Sequence, residues 1–184
     1  RTFTPTPTFT PTRWPQPPSG RINRIDTKFH SNALNLDQRV LIYLPPGYDA
    51  QSTRRYPVMY MLHGYGGFGN PSPEWEQWGL KDRAEEMMNN GALKPVIIVQ
   101  PDGFEPNGQP SLFFNHAPQI DGKRYGDYVW QDVVSYIDTN YRTIRSRTSR
   151  AIGGFSFGGQ GALSLSLLHP EVFAIVGAHS PSFR

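Results

Sequence analysis

The sequence predicts an α/β protein with a mostly parallel sheet, an antiparallel N-terminal hairpin and helices on both faces. Three observations carry that reading. Pro57–His63 and Pro95–Gln100 are continuous apolar runs, as strands buried on both faces require. These runs alternate with segments of helical period, which implies right-handed crossovers into one sheet. Gly154-Phe155-Ser156-Phe157-Gly158 follows the short apolar run Arg150-Ala151-Ile152 and precedes the helix-forming stretch Ala162–Leu168, giving strand, tight turn, helix.

Composition narrows the function classes. A chain of 184 residues suits one domain, and 37% hydrophobic with 13% aromatic residues suffices for a core. The net charge of +3 is mild. Arg142, Arg145, Arg147 and Arg150 follow a helix end and read as a solvated connection, so no nucleic-acid partner is expected. The absence of Cys excludes disulfides, a thiol nucleophile and Cys-held metals. No apolar run approaches the length of a membrane span. The chain begins at Arg1 without Met, which reads as a processed or excised product.

In order, residues 1–20 form a Thr/Pro-rich linker or tail, stiff, extended and coreless. The folded domain spans 21–184. Residues 21–31 and Gln38–Leu44 predict two antiparallel strands. Pro57–His63 leads into the loop His63-Gly64-Tyr65-Gly66-Gly67. A helix is expected over 77–90, with Leu80, Ala84, Met87 and Met88 on its inner face and Gly91 as its stop. Residues 103–124 are a long loop rich in Gly, Pro and aromatics. Asp127–Tyr141 predicts a helix, and Phe173–His179 a last strand.

Active sites in such sheets lie at the carboxyl ends of the strands. His63, Asp102, Ser156, His179 and Ser180 share that address. A serine hydroxyl becomes a useful nucleophile when a base takes its proton, and attack on an ester carbonyl makes an oxyanion that needs preset donors. The backbone amides of Tyr65 and Phe157 are the candidate donors. Gly154 and Gly158 read as positions where a side chain would strike the neighbouring strand or helix. His63 reads as ordering the glycine loop rather than as the base. Trp75 and Trp78 read either as pocket walls or as packing for the next helix.

The segments Val40–Tyr48, His63–Gly67, Pro101-Asp102-Gly103, Asp127–Tyr141, Gly154–Ala162 and Ala178-His179-Ser180-Pro181 resemble, in order, the esterase D family of α/β-hydrolases. That family includes feruloyl and acetylxylan esterases, S-formylglutathione hydrolases and mycolyltransferases. The resemblance implies hydrolysis of carboxylic esters through Ser156, with no cofactor or metal. With the Thr/Pro spacer, it tilts toward feruloyl or acetyl esters, small or linked to plant polysaccharide, and toward a secreted or cell-surface location.

The chain departs from the family after the nucleophile. Family order is Ser, acid, His, yet the 28 residues after Ser156 hold no Asp, one Glu (Glu171) and two His (His169 and His179). The domain is therefore expected to be C-terminally incomplete. His179 and His116 are the candidate bases within it, and Asp102 or Asp121 the candidate acid. A non-catalytic binding or assembly module and an acyltransferase are the alternative functions. Residues 172–178 predict an edge strand apolar on both faces, expected to pair with a second copy or a complementary C-terminal fragment.

Overall fold

The protein is described by a computed structural model covering residues 19–67 and 73–182. The expected linker lies almost wholly outside the described residues. Six strands form one sheet: β1 (Asn23–Ser31), β2 (Leu36–Leu44), β3 (Val58–Leu62), β4 (Ile97–Pro101), β5 (Arg150–Phe155) and β6 (Ile175–His179). Their spatial order is β1-β2-β4-β3-β5-β6. β1 and β2 make an antiparallel hairpin in register from Asn23↔Leu44 to Ser31↔Leu36, turned through Asn35 at φ 52°. β2 meets β4 antiparallel, and the remaining pairs are parallel. The expected α/β class and hairpin are both present.

The helices are α1 (Glu74–Gln77), α2 (Leu80–Asn89), α3 (Tyr125–Asp127), α4 (Val134–Asn140) and α5 (Phe157–Leu168). A π turn over Tyr128–Val133 joins α3 to α4. Alternation along the strands builds two cores, because successive side chains point to opposite faces. Val40, Ile42, Tyr60, Leu62, Val99 and Ile152 meet Val129, Val133, Ile137, Ala162 and Leu165 on one face. Leu41, Tyr43 and Ile98 meet Ala84 and Met88 on the other.

Several boundaries differ from the sequence reading. The helix expected over 77–90 is two helices, broken at Gly79 with φ 76°. Met88 is buried, but Met87 is exposed. Adjacent helical residues lie about 100° apart, so both cannot face one core. The helix expected at Asp127 starts at Tyr125, and α5 starts at Phe157 rather than Ala162. The last strand starts at Ile175. Val172 and Phe173 are buried in the turn before it, with the Phe173 ring edge-on to Tyr60.

β6 pairs with β5 along one edge, and its residues are exposed on both faces, with Ile175 at 60% and Val176 at 42%. Among the described residues its other edge has no strand neighbour. An apolar edge of this kind invites pairing with another chain. We propose that this edge joins the chain to a second polypeptide, a second copy or a complementary fragment. Light scattering should then show mass rising with concentration; a monomer throughout would remove the self-association arm.

Candidate active site

Ser156 sits between β5 and α5 at φ 52°, ψ −115°. A non-glycine residue pays for positive φ, so surrounding structure must hold it. The holding bonds are visible. Ser156 N–H donates to His179 O at 3.0 Å, and Ser156 O accepts from Gln160 N at 3.0 Å and Ser182 N at 3.2 Å. The turn fits because two neighbours lack side chains. A Cβ on Gly158 would lie 2.3 Å from Leu62 O and 2.5 Å from His63 O; one on Gly154 would lie 2.2 Å from Gly158 O. The elbow thus rests directly on the end of β3, where the glycine loop begins.

That loop is held from below. His63 is 2% exposed and stacks on Phe104, with its ring edge against Phe113. Its Nε2 accepts from Gly103 N at 2.8 Å, so the proton sits on Nδ1, which donates to Gly64 O at 2.7 Å. Burial pushes the imidazole down to about 4, keeping it neutral. His63 therefore ties the loop after β3 to the loop after β4, the ordering role expected from sequence. Glu74, which the sequence reading passed over, is also buried, and its Oε2 accepts from Gly64 N at 2.5 Å. Its only sequence signal was a carboxylate opening the segment after a glycine loop.

The side chains of the two residues expected to supply donor amides are in contact. Tyr65 is 64% exposed, and its ring lies edge-on to Phe157 with centroids 6.1 Å apart. The Phe157 amide opens α5, where the helix dipole favours negative charge. Trp75 Nε1 donates to Leu62 O at 3.1 Å, which makes it packing for β3. Trp78 meets Phe155 edge-on and is half exposed, beside an open groove of about 660 Å³ lined by Met59, Leu80 and Met87.

The candidate bases and acids are spread out. His179 is exposed, with its ring tilted 5.5 Å from Phe155. His116 Nδ1 lies 2.7 Å from Asp121 Oδ1, and its Nε2 lies 3.3 Å from Ser111 O. Glu105, His116 and Asp121 bring ligand-type atoms within 4.8 Å of one another, and Lys123 Nζ bridges the two carboxylates. Asp102 accepts from Phe104 N at 2.9 Å and lies 3.9 Å from His63 Nε2. It does not serve His179, because β3 and β5 stand between β4 and β6, a separation of about 14 Å at ordinary strand spacing. Among the described residues no hydrogen bond reaches Ser156 Oγ.

A mixed sheet in this order, with a strained serine between a parallel strand and the next helix, defines an α/β-hydrolase. The family model described as "Putative esterase" matches residues 31–184, and the chain belongs to that esterase family. Esterase Rv1288 of Mycobacterium tuberculosis is 32% identical over 83% of this chain and 31% of its own length. An endo-1,4-beta-xylanase/feruloyl esterase of Xylanibacter ruminicola is 27% identical over 81% of this chain and 20% of its own. The structure of a ferulic acid esterase superposes with TM-score 0.75 at 26% identity, covering 88% of this chain and 61% of that one. An S-formylglutathione hydrolase from Agrobacterium tumefaciens has the same fold, with TM-score 0.69 at 21% identity. The chain spans less than a third of the length of these curated relatives.

Two outcomes follow. Gly158→Ala should cost about 3 kcal/mol or more in urea unfolding, because its methyl meets rigid backbone; an unchanged midpoint would contradict the close approach. Burial raises the Asp102 carboxyl to about 6. Between about pH 4 and 6 the folded state keeps a proton that the unfolded state releases, so this contribution is present at low pH and lost as pH rises through 6. Asp102→Asn should therefore stabilise the protein at pH 7, by up to about 3 kcal/mol, with the gain vanishing near pH 4. His63 runs oppositely in both proteins: its contribution is full above about 6.5 and lost as pH falls through 4. A variant less stable at pH 7 would overturn the burial argument.

Proposed function

We propose that the chain carries the nucleophile and oxyanion-binding part of a serine carboxylic-ester hydrolase. The single observation behind this is the Ser156 backbone, held at positive φ by three hydrogen bonds at the carboxyl end of β5. The Ser156 oxygen attacks the ester carbonyl while an imidazole takes its proton. The Tyr65 and Phe157 amides receive the developing oxyanion, the alcohol leaves with the proton, and water releases the acyl group.

Feruloyl or acetyl esters attached to plant polysaccharide are the substrates we favour. The names of the feruloyl esterase relative and the ferulic acid esterase structure support this, as does the exposed aromatic Tyr65 beside the donors. The Thr/Pro-rich residues 1–20 support a secreted or cell-surface setting. As bases, His179 and His116 differ. His116 has both ring nitrogens engaged, while the His179 ring has no hydrogen bond among the described residues.

The test is hydrolysis of a short-chain chromogenic ester by the purified chain, alongside Ser156→Ala, His179→Ala and His116→Ala. Ser156→Ala should abolish the turnover; loss of the serine in a well-studied serine protease costs about a millionfold. A histidine variant that falls with it identifies the base. Hydrolysis indifferent to Ser156→Ala would overturn the reading. So would a wild-type chain that neither turns over ester nor takes a fluorophosphonate at Ser156.

A further inference from the structure

The backbone around Gly64 is clamped on both sides. Gly64 O accepts from His63 Nδ1 at 2.7 Å and from Gly67 N at 3.2 Å. The Gly64–Tyr65 peptide is planar and trans, so its N–H points opposite to that carbonyl, away from the His63 ring. The preceding peptide is fixed by a different group, because Gly64 N–H donates to Glu74 Oε2. The Glu74 carboxylate spans the loop: Oε2 would stand 3.1 Å from a Cβ on Gly64, and Oε1 3.0 Å from one on Gly66. Glu74 N–H also donates to Gly67 O at 2.9 Å, which closes the far side of the loop.

Glycine has the widest backbone freedom of any residue, so the direction of the Tyr65 N–H depends on what holds the two peptides beside Gly64. His63 holds one and Glu74 the other. A carboxylate is also costly to bury without compensating hydrogen bonds, yet this one sits beneath the loop that carries a proposed oxyanion donor.

We propose that Glu74 is a positioning residue, which sets the Tyr65 amide toward the oxyanion by fixing the peptide before Gly64. It acts as a hydrogen-bond acceptor rather than as a charge, so glutamine can replace it and alanine cannot. The inference rests on the reading of Tyr65 as an oxyanion donor.

The experiment uses the full 184-residue chain with Glu74→Ala, Glu74→Gln and Ser156→Ala. Amide hydrogen exchange is followed in the peptide containing Gly64 and Tyr65, and steady-state kinetics are measured on the chromogenic ester. Glu74→Ala should speed exchange there at least about tenfold. It should lower kcat about ten- to a hundredfold with KM little changed, less than the roughly hundred- to thousandfold seen when a donor itself is removed. Glu74→Gln should restore both toward wild type. Unchanged exchange in Glu74→Ala overturns the proposal, as does unchanged Ser156-dependent kcat. A glutamine variant that behaves like alanine also overturns it. If Glu74→Ala unfolds, Glu74→Gln decides alone, by slow exchange with near-wild-type kcat or the reverse. A wild-type chain without Ser156-dependent turnover defeats the esterase reading, and the exchange comparison still decides whether Glu74 fixes the loop.

Discussion

One close approach organises the functional end of this molecule: Gly158 lies directly against the carbonyls of Leu62 and His63. No side chain fits between them, so the elbow, the end of β3 and the glycine loop form one packed object. The parallel register of β3 and β5, with Leu62 opposite Gly154, aligns the two strand ends so that this contact occurs. The positive φ of Ser156 is sustained by the same packing. The strain is local, and the bonds from His179, Gln160 and Ser182 spread its restraint over β6 and α5.

Electrostatics around the contact are arranged by burial. His63 stays neutral because it is enclosed by Phe104 and Phe113, and a neutral ring can accept at one nitrogen and donate at the other. A protonated ring would donate at both and lose the bond from Gly103. Asp102, a strand away, is pushed toward its protonated form by the same lack of water. His63 is thus neutral, while Asp102, raised to about 6, keeps its charge at pH 7 at a cost in stability. The helix N-terminus at Phe157 contributes a local field that favours negative charge.

Much of this was legible in the sequence, for physical reasons. Runs such as Pro57–His63 have the length and apolar continuity of interior strands, and a glycine two residues either side of a serine signals a turn with no room for Cβ. The His63 assignment was legible too, because a strand-end residue under a glycine loop is placed to order it. The interruption at Gly79 was less so: one left-handed glycine inside a helical period looks like a tolerated substitution until its backbone is seen. Met87 misled because residues 87 and 88 are apolar neighbours and only packing decides which turns inward. Asp102 shared an address with His179 along the strand axis, but sheet order is not sequence order, and two strands separate them. Glu74 was missed because its partner is a backbone amide ten residues away, and a carboxylate opening the segment after a glycine loop does not by itself point to that bond.

The tip of the glycine loop divides the labour within one residue. In the proposed reading Tyr65 offers its main chain to the oxyanion, while its side chain is largely in solvent. Replacement of that side chain leaves the peptide plane in place, because His63 and Gly67 restrain it through Gly64. Selection can therefore change what the mouth of the site recognises without retuning the machinery beneath it. A substitution at position 65 would alter the exposed mouth of the proposed site while leaving the Gly64–Tyr65 peptide in place.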